Sequence, residues 1–501
     1  MSFYLSSRKL DITSGDDLSC VINEEDAKEH GVSAGNSIEI RLEGISESII
    51  VVVDITNTLV EPGQIGFFED VWNKYNLHFG IAVEIDFLSP SQAIASIKKK
   101  LNGEELSYED FYLIMRDISN GKLDSLLTAY FAASGYSPGF NEQEILYMTK
   151  ALADTGDKLH FDGIVADKHS IGGVAGKGIT PIVVPIISTF KGIIVPNTST
   201  RAVTSASATT DMLEVIMPMS FSREQLEDMI RKSGVFMVWG GGLALAPADD
   251  EIIEVQKPLG MESIDKFVSS IVAKKIAQGV NYVVFDVPVG KGAKITEKEF
   301  PKVKNTFEKI CKYFKINVYV HKRKVYGIDG FAVGPSLECR EFLRVYERHP
   351  NRSIQLEKDS LELAGKLLEL CKVVELGNGY DAALEKLQNG EAYSKLKEII
   401  YNQGGNPDIK SDQLELGGMV EDIFATNDGM VTHIDNKKIF KVCKSLGNPR
   451  IKEAGVYFHK IVGDKVKKGE RIATIYATSD SRMELGKKVW ESENPVEIMT
   501  A

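Results

Sequence analysis

The sequence predicts a multidomain α/β protein with β-rich modules at both ends. Three observations carry that expectation. The middle of the chain alternates short β-branched runs with amphipathic helical stretches, as a mostly parallel sheet requires. The first 86 residues and roughly the last 75 carry strand-like alternation broken by Gly, Pro and Asp turns. The length of 501 residues calls for several domains. The expected divisions are an N-terminal barrel-like β domain at 1–86 and a helical domain at 87–160, completed by segments of the central region. A large α/β domain at 161–424 and a small C-terminal β-rich (α+β) domain at 425–501 follow.

Composition narrows the function. With 43% hydrophobic and 26% charged residues, the chain has ample material for large cores. A formal charge of −12 argues against nucleic acid as the main partner. An anionic substrate remains compatible with it, because a local group of Lys and Arg overrides the sign of the whole. Cys20, Cys311, Cys339, Cys371 and Cys443 are dispersed and show no paired spacing, so free thiols are expected rather than a metal site. MSFYLSSRKLD lacks the apolar core of a secretory signal, and no uncharged run reaches membrane-spanning length. A cytoplasmic protein with no membrane partner is expected.

In the N-terminal module, NEEDAKEHG predicts a short helix stopped at Gly31, and SIEIRLEG and ESIIVVVDI predict strands. His30 and His78 stand apart from other chemistry and read as structural or solvent-facing. Helices follow in SPSQAIASIKKKLNG, in SYEDFYLIMRDISNGKL with its capping-box spacing, and in NEQEILYMTKALADTG. Further on, strands are expected at IIVP, VFMVW, YVVFDV and INVYV, separated by helices such as REQLEDMIRKSG and IDKFVSSIVAKKIAQG. Near the C-terminus, NDGMVTHI, IKEAGVYFHKIVGDKVKKGERIATIYA and NPVEIMTA predict a small antiparallel module with a structural or assembly role.

The stretch from Asp167 to Thr209 concentrates the candidate chemistry. DKHSIGGVAGKG reads as a turn whose backbone N–H groups face an anion, with Lys168 and Ser170 adding donors. The apolar run Ile179–Phe190 predicts a buried helix with its positive end toward the same anion. Thr198-Ser199-Thr200-Arg201 then supplies donors at the end of a buried strand, where open α/β sheets bind ligands. The spacing matches neither a triphosphate loop nor a dinucleotide fingerprint. Asp286-Val287-Pro288-Val289-Gly290-Lys291-Gly292 reads equally as a polar strand end or as a loop from which Lys294 reaches an anion.

Four ordered motifs, DKHSIGGVAGK, NTSTRAVTSASATTDMLEV, WGGGLALAPADD and SSIVAKKIAQGVNYVVFDVPVGKGAKI, resemble the thymidine/pyrimidine-nucleoside phosphorylase superfamily. Within it, the resemblance is to the archaeal-type AMP phosphorylases, and it runs over essentially the whole chain. That resemblance implies phosphorolysis: AMP, and also CMP and UMP, react with orthophosphate to give free base and ribose 1,5-bisphosphate. It implies a homo-oligomer, a large one in the AMP-specific members, with orthophosphate as co-substrate and no metal or organic cofactor. Residue by residue, it assigns nucleotide contacts to Gly173, Thr200, Arg201, Ala202, Val203, Thr204, Ser205, Thr209, Ser270 and Lys294. Phosphate falls to Lys168, Ser170 and Thr209, and the proton donor's aspartate position is Glu262 here, with His169 as the alternative donor. The family's Pro-Ala-Gly-Thr reads Ala206-Ser207-Ala208-Thr209, which would strain the loop if the lost glycine had positive φ. The base-binding Arg of ordinary thymidine phosphorylases is missing, its segment reading Ala248-Asp249-Asp250. A pyrimidine-nucleoside phosphorylase and a non-catalytic nucleotide-binding or scaffold protein are the alternatives.

Overall fold

Alternating apolar residues in the first module turn one face of every strand inward, and the sheet closes on itself. The computed structural model describes residues 2–14, 18–42, 48–87, 91–176, 178–202, 205–256 and 263–500. Its strands β1 (Phe3–Lys9), β2 (Ser19–Asn23), β3 (Ser37–Leu42), β4 (Ile49–Thr56), β5 (Gln64–Phe67) and β6 (Ala82–Phe87) form a closed barrel, in the order β1-β5-β2-β4-β3-β6. Ile38, Ile40, Val51, Val53, Ile65 and Ile85 fill it with no exposed surface. The short helix α1 (Glu24–His30) stops at Gly31 as expected, and a second, α2 (Glu69–Lys74), follows β5. His30 stacks on Phe3 with ring centroids 3.8 Å apart, a packing role.

Four helices come next: α3 (Ala93–Leu101), α4 (Tyr108–Ser119), α5 (Ser125–Ser134) and α6 (Glu142–Asp154). The capping box at Ser107 and Asp110 forms as the spacing predicts. Helix α5 was not anticipated; its sequence SLLTAYFAAS is apolar almost all round, which hides the helical period. The buried Lys100–Glu144 pair, 2.7 Å apart, ties α3 to α6. The chain divides into two compact units, one of Met1–Ala151 with Glu251–Gln256, the other of Leu152–Asp250 with Lys257–Ala501.

The second unit is built on a five-stranded parallel sheet: β7 (Ile164–Ser170), β8 (Ile193–Ser199), β9 (Val235–Trp239), β10 (Tyr282–Val289) and β11 (Asn317–Lys324). Its order is β11-β10-β7-β8-β9. The last four strands match the expected runs. The central one does not: Lys168, His169 and Ser170 lie on β7, and the turn begins only after them. Charged residues in a strand read as loop from sequence, but here tertiary partners neutralise them. Helices α7 (Thr180–Ile187), α8 (Thr209–Leu213), α9 (Arg223–Ser233), α10 (Pro247–Gln256), α11 (Ile264–Ala277) and α12 (Phe300–Tyr313) are spread along this half of the chain. The apolar α7, every residue buried, forms the heart of the main core with α13 (Pro335–Tyr346), α14 (Ile354–Leu370), α15 (Gly379–Gln388) and α16 (Glu391–Asn402).

A short strand β12 (Ala332–Val333) leaves this body and joins β13 (Met419–Phe424), β15 (Gly455–Phe458) and β17 (Arg471–Ala477) in an antiparallel sheet of order β12-β15-β17-β13. A second sheet holds β14 (Gly429–Ile434), β16 (Lys465–Val466) and β18 (Val496–Met499). Two amphipathic helices, α17 (Asn436–Leu446) and α18 (Asp480–Glu493), pack against each other beside these strands, so this module is more helical than its turn-rich sequence suggests.

Candidate active site

Parallel pairing brings the carboxyl ends of β7, β8, β9 and β10 to one edge of the sheet, where His169, Ser170, Thr200 and Arg201 lie at or just past the strand ends. Register sets His169 beside Phe285 and Ser170 beside Asp286. Beyond Ser170 the chain turns through Gly172 and Gly173, both with positive φ. At Gly173 an added Cβ would stand 2.7 Å from Lys294 Cβ and 2.8 Å from its backbone nitrogen, so only glycine admits this approach. Two residues 121 positions apart in sequence thus meet. The Lys294 ammonium sits 4.4 Å over the Phe267 ring on α11, and Ser270 follows Phe267 by one turn of that helix.

Lys168 is 2% exposed, and its ammonium donates to Thr180 Oγ1 at 3.1 Å, at the start of α7. Thr180 is the ammonium's only hydrogen-bond partner among the described residues, which leaves two of its three protons for a ligand. Burial lowers its pKa to about 8, with Asp286 opposing. Below it, Asp167 collects Asn197 at 2.7 Å and Lys275 at 2.5 Å, which fixes the strand's charged residues from both sides. Ser170 Oγ donates to Asp286 Oδ2 at 3.0 Å; Asp286 in turn binds Arg323, which also pairs bidentately with Asp329 at 2.7 and 2.9 Å and lies 3.6 Å from Asp359. Asp286 and Arg323 could have been flagged from sequence, since an acid inside the apolar run YVVFDVPV has to find a cation when buried.

His169 is half-buried. Burial, followed by the charges of Lys275, Lys168, Lys274 and Lys294, holds its imidazole well below the usual histidine range. Four ammonium groups therefore act on one ring in a chain whose net charge is −12. The ring is neutral at pH 7 and poorly suited to give up a proton.

The loop after β8 is organised differently. Arg201 forms a fork with Glu214 at 2.8 and 2.6 Å and stacks 4.9 Å from the Trp239 ring, while Lys452 reaches the same carboxylate at 2.9 Å. Thr200 is exposed and Thr209 half-buried as the first residue of α8. The N–H groups of Ala202 and Ala208 both donate to Asp211 Oδ2, and buried Ser205 donates to the Ser207 carbonyl at 2.9 Å. Ala208 has φ −130° and ψ 173°, extended backbone open to any residue, so the missing glycine leaves no strain there. Ala206 is buried in the core of the C-terminal module. Ser270 Oγ is committed to Asp249 at 2.5 Å, and Lys274 completes that buried group at 2.9 Å from the same acid. Asp249 and Lys274 were not anticipated as site residues. Val203, Thr204 and Glu262 lie outside the described residues.

The C-terminal module braces the glycine turn. The fully buried Asn436 accepts from the Ala175 N–H at 3.0 Å and donates to the Gly327 carbonyl at 3.2 Å. No helix among the described residues is long and apolar enough to cross a membrane.

Residues 95–156 match the family model described as the helical bundle domain of a glycosyl transferase family, and residues 430–493 match the pyrimidine nucleoside phosphorylase C-terminal domain. The AMP phosphorylase of Methanosarcina acetivorans is 38% identical over 480 residues, covering 95% of this chain and 93% of the relative. The chain belongs to the AMP phosphorylase family. Members from Methanosarcina mazei and Thermofilum pendens are 37% and 35% identical, each covering 95% of this chain and 93% and 91% of their own. Most of the helical-bundle match, residues 95–151, lies in the first unit, and the C-terminal match lies in the second. A crystal structure of anthranilate phosphoribosyltransferase from Thermus thermophilus overlaps 62% of this chain and 99% of its own at 17% identity, with a TM-score of 0.49.

Proposed function

We propose that this chain is a pentosyltransferase that cleaves the glycosidic bond of AMP, and of CMP and UMP, with orthophosphate. Free base and ribose 1,5-bisphosphate are the products. The observation that carries the reading is the glycine turn held against Lys294 beside buried Lys168 at the carboxyl edge of the sheet, in a chain whose relatives are AMP phosphorylases. Binding one anion there is not enough for the chemistry. The base is a poor leaving group, and C1′ gains positive charge as the bond to it lengthens. Lys168, Ser170 and Thr209 hold orthophosphate beneath C1′, where its oxygens stabilise that charge and one of them forms the new bond.

Gly173, Ser270 and Lys294 contact the nucleotide, and the 200–205 loop with Arg201 grips its 5′-phosphate. Glu262 gives the departing base its proton, and neutral His169 orients phosphate or base. No metal or organic cofactor takes part, and the working form is a homo-oligomer. The test is phosphate-dependent release of adenine from AMP, compared with adenosine and thymidine. Release from AMP at a kcat/KM at least tenfold above that of either nucleoside supports the proposal. Faster release from a nucleoside replaces it with nucleoside phosphorolysis, and no release from any substrate leaves a binding protein.

A further inference from the structure

The second unit holds a cleft on the antiparallel sheet that shares no residue with the carboxyl edge of the parallel one. It has a volume of about 680 Å³ and is bordered by α13, β13, β15, β17 and the 350–352 turn. Its lining is unusual in charge: Arg340, Arg344, Arg352 and Arg471 face one carboxylate, Asp422.

Three of these cations have partners. Arg344 bonds Glu341 at 3.0 Å, Arg352 bonds Glu357 at 2.6 Å, and Arg471 bonds Asp422 at 3.2 Å. Arg340 has none among the described residues: its guanidinium lies 5.0 Å from the Tyr457 ring centroid, its buried Nε makes no hydrogen bond, and it joins no ion pair. Arg344 stacks on the same ring at 5.8 Å. Burial, then Arg344, pull the Arg340 guanidinium below its ordinary value, with Tyr476 and Glu341 opposing. Two guanidiniums over one tyrosine, one of them without a hydrogen bond or close ion pair among the described residues, make a fork for an oxyanion.

Volume selects among oxyanions. A bare orthophosphate leaves most of the cleft unfilled, whereas the space is typical of sites for small organic ligands. Phe331 and Tyr476 give the remainder an aromatic lining suited to a ring. We propose that this cleft binds a small phosphate ester, with Arg340 and Arg344 on the phosphate, at a site separate from the catalytic one. The inference does not rest on the catalytic reading, since it uses none of those residues.

Equilibrium dialysis of the full chain counts bound ligand per chain with two probes: labelled orthophosphate, and AMP in phosphate-free buffer. The expected result is two equivalents of AMP, one of which has a Kd that rises at least tenfold in Arg340→Gln while the other is unchanged. If orthophosphate shows the same Arg340-dependent equivalent, the phosphate group alone is sufficient for binding. Arg340→Lys keeps the charge and should retain the equivalent at reduced affinity, with a Tm near that of the parent. A count that Arg340→Gln leaves unchanged with both probes overturns the proposal. So does loss of binding in both variants with a matching fall in Tm, which makes Arg340 structural.

Discussion

Gly173 and Lys294 meet so closely that a single methyl group on the glycine would stand 2.7 Å from the lysine Cβ. Gly173 also holds φ +87°, which disfavours any L side chain. Gly173→Ala should therefore move Lys294 and raise KM for AMP at least tenfold, with a stability loss of about 1–2 kcal/mol from the strained backbone. Steady-state kinetics and a denaturant titration check it. Parent-like values in both would show that the two loops are not held against each other in solution.

Lys168 has a folded-state pKa of about 8. Its protonated form is the one that attracts phosphate, so kcat/KM for phosphate, which reports the free enzyme, should fall tenfold per pH unit above that value. Lys168→Arg should remove this limb, and Lys168→Ala should depress turnover at every pH. Stability moves the other way. Unfolded lysine keeps its proton to about 10.4, so the unfolded chain binds more protons between the two values, and this group makes the fold more stable as pH rises through that window. A flat phosphate profile from about pH 7 to 10 would remove Lys168 from the phosphate site.

Glu262 and His169 compete for the role of acid. The imidazole, held well below its usual range, has no proton to give at pH 7 beyond that of the neutral ring. Glu262→Gln should lower kcat on AMP by roughly 100-fold and remove the basic limb of its pH profile, while His169→Asn costs less. Glu262→Asp, the family's residue, should keep substantial activity. A greater loss in His169→Asn than in Glu262→Gln would transfer the proton to His169.

Asn436 links the C-terminal module to the glycine turn by bonds to Ala175 and Gly327. Asn436→Ala strands a buried N–H and a buried carbonyl, a cost of about 1–3 kcal/mol for each unsatisfied group. Tm should fall and KM for substrate should rise together, because the same bond that holds the module also holds the turn. A lower Tm with unaltered KM would confine the residue to stability.

The strands Val235–Trp239 and Tyr282–Val289 were legible because β-branched and aromatic runs of that length, bounded by glycine, have few other structures open to them. The helix stop at Gly31 and the capping box at Ser107 were legible for the same reason: they are local, and the residues that form them are neighbours in the chain. The motifs also identified the family over its full length. What sequence could not supply is the placement of β7, where Asp167, Lys168, His169 and Ser170 read as a polar turn. Their place in the sheet depends on Asn197, Lys275, Asp286 and Arg323, which lie 30 to more than 100 residues away. Nor does sequence show that Ala208 sits in extended backbone, or that Gly173 abuts Lys294. A charge is tolerable inside a sheet only when its counter-charge arrives from elsewhere in the fold, and that pairing is decided by tertiary structure.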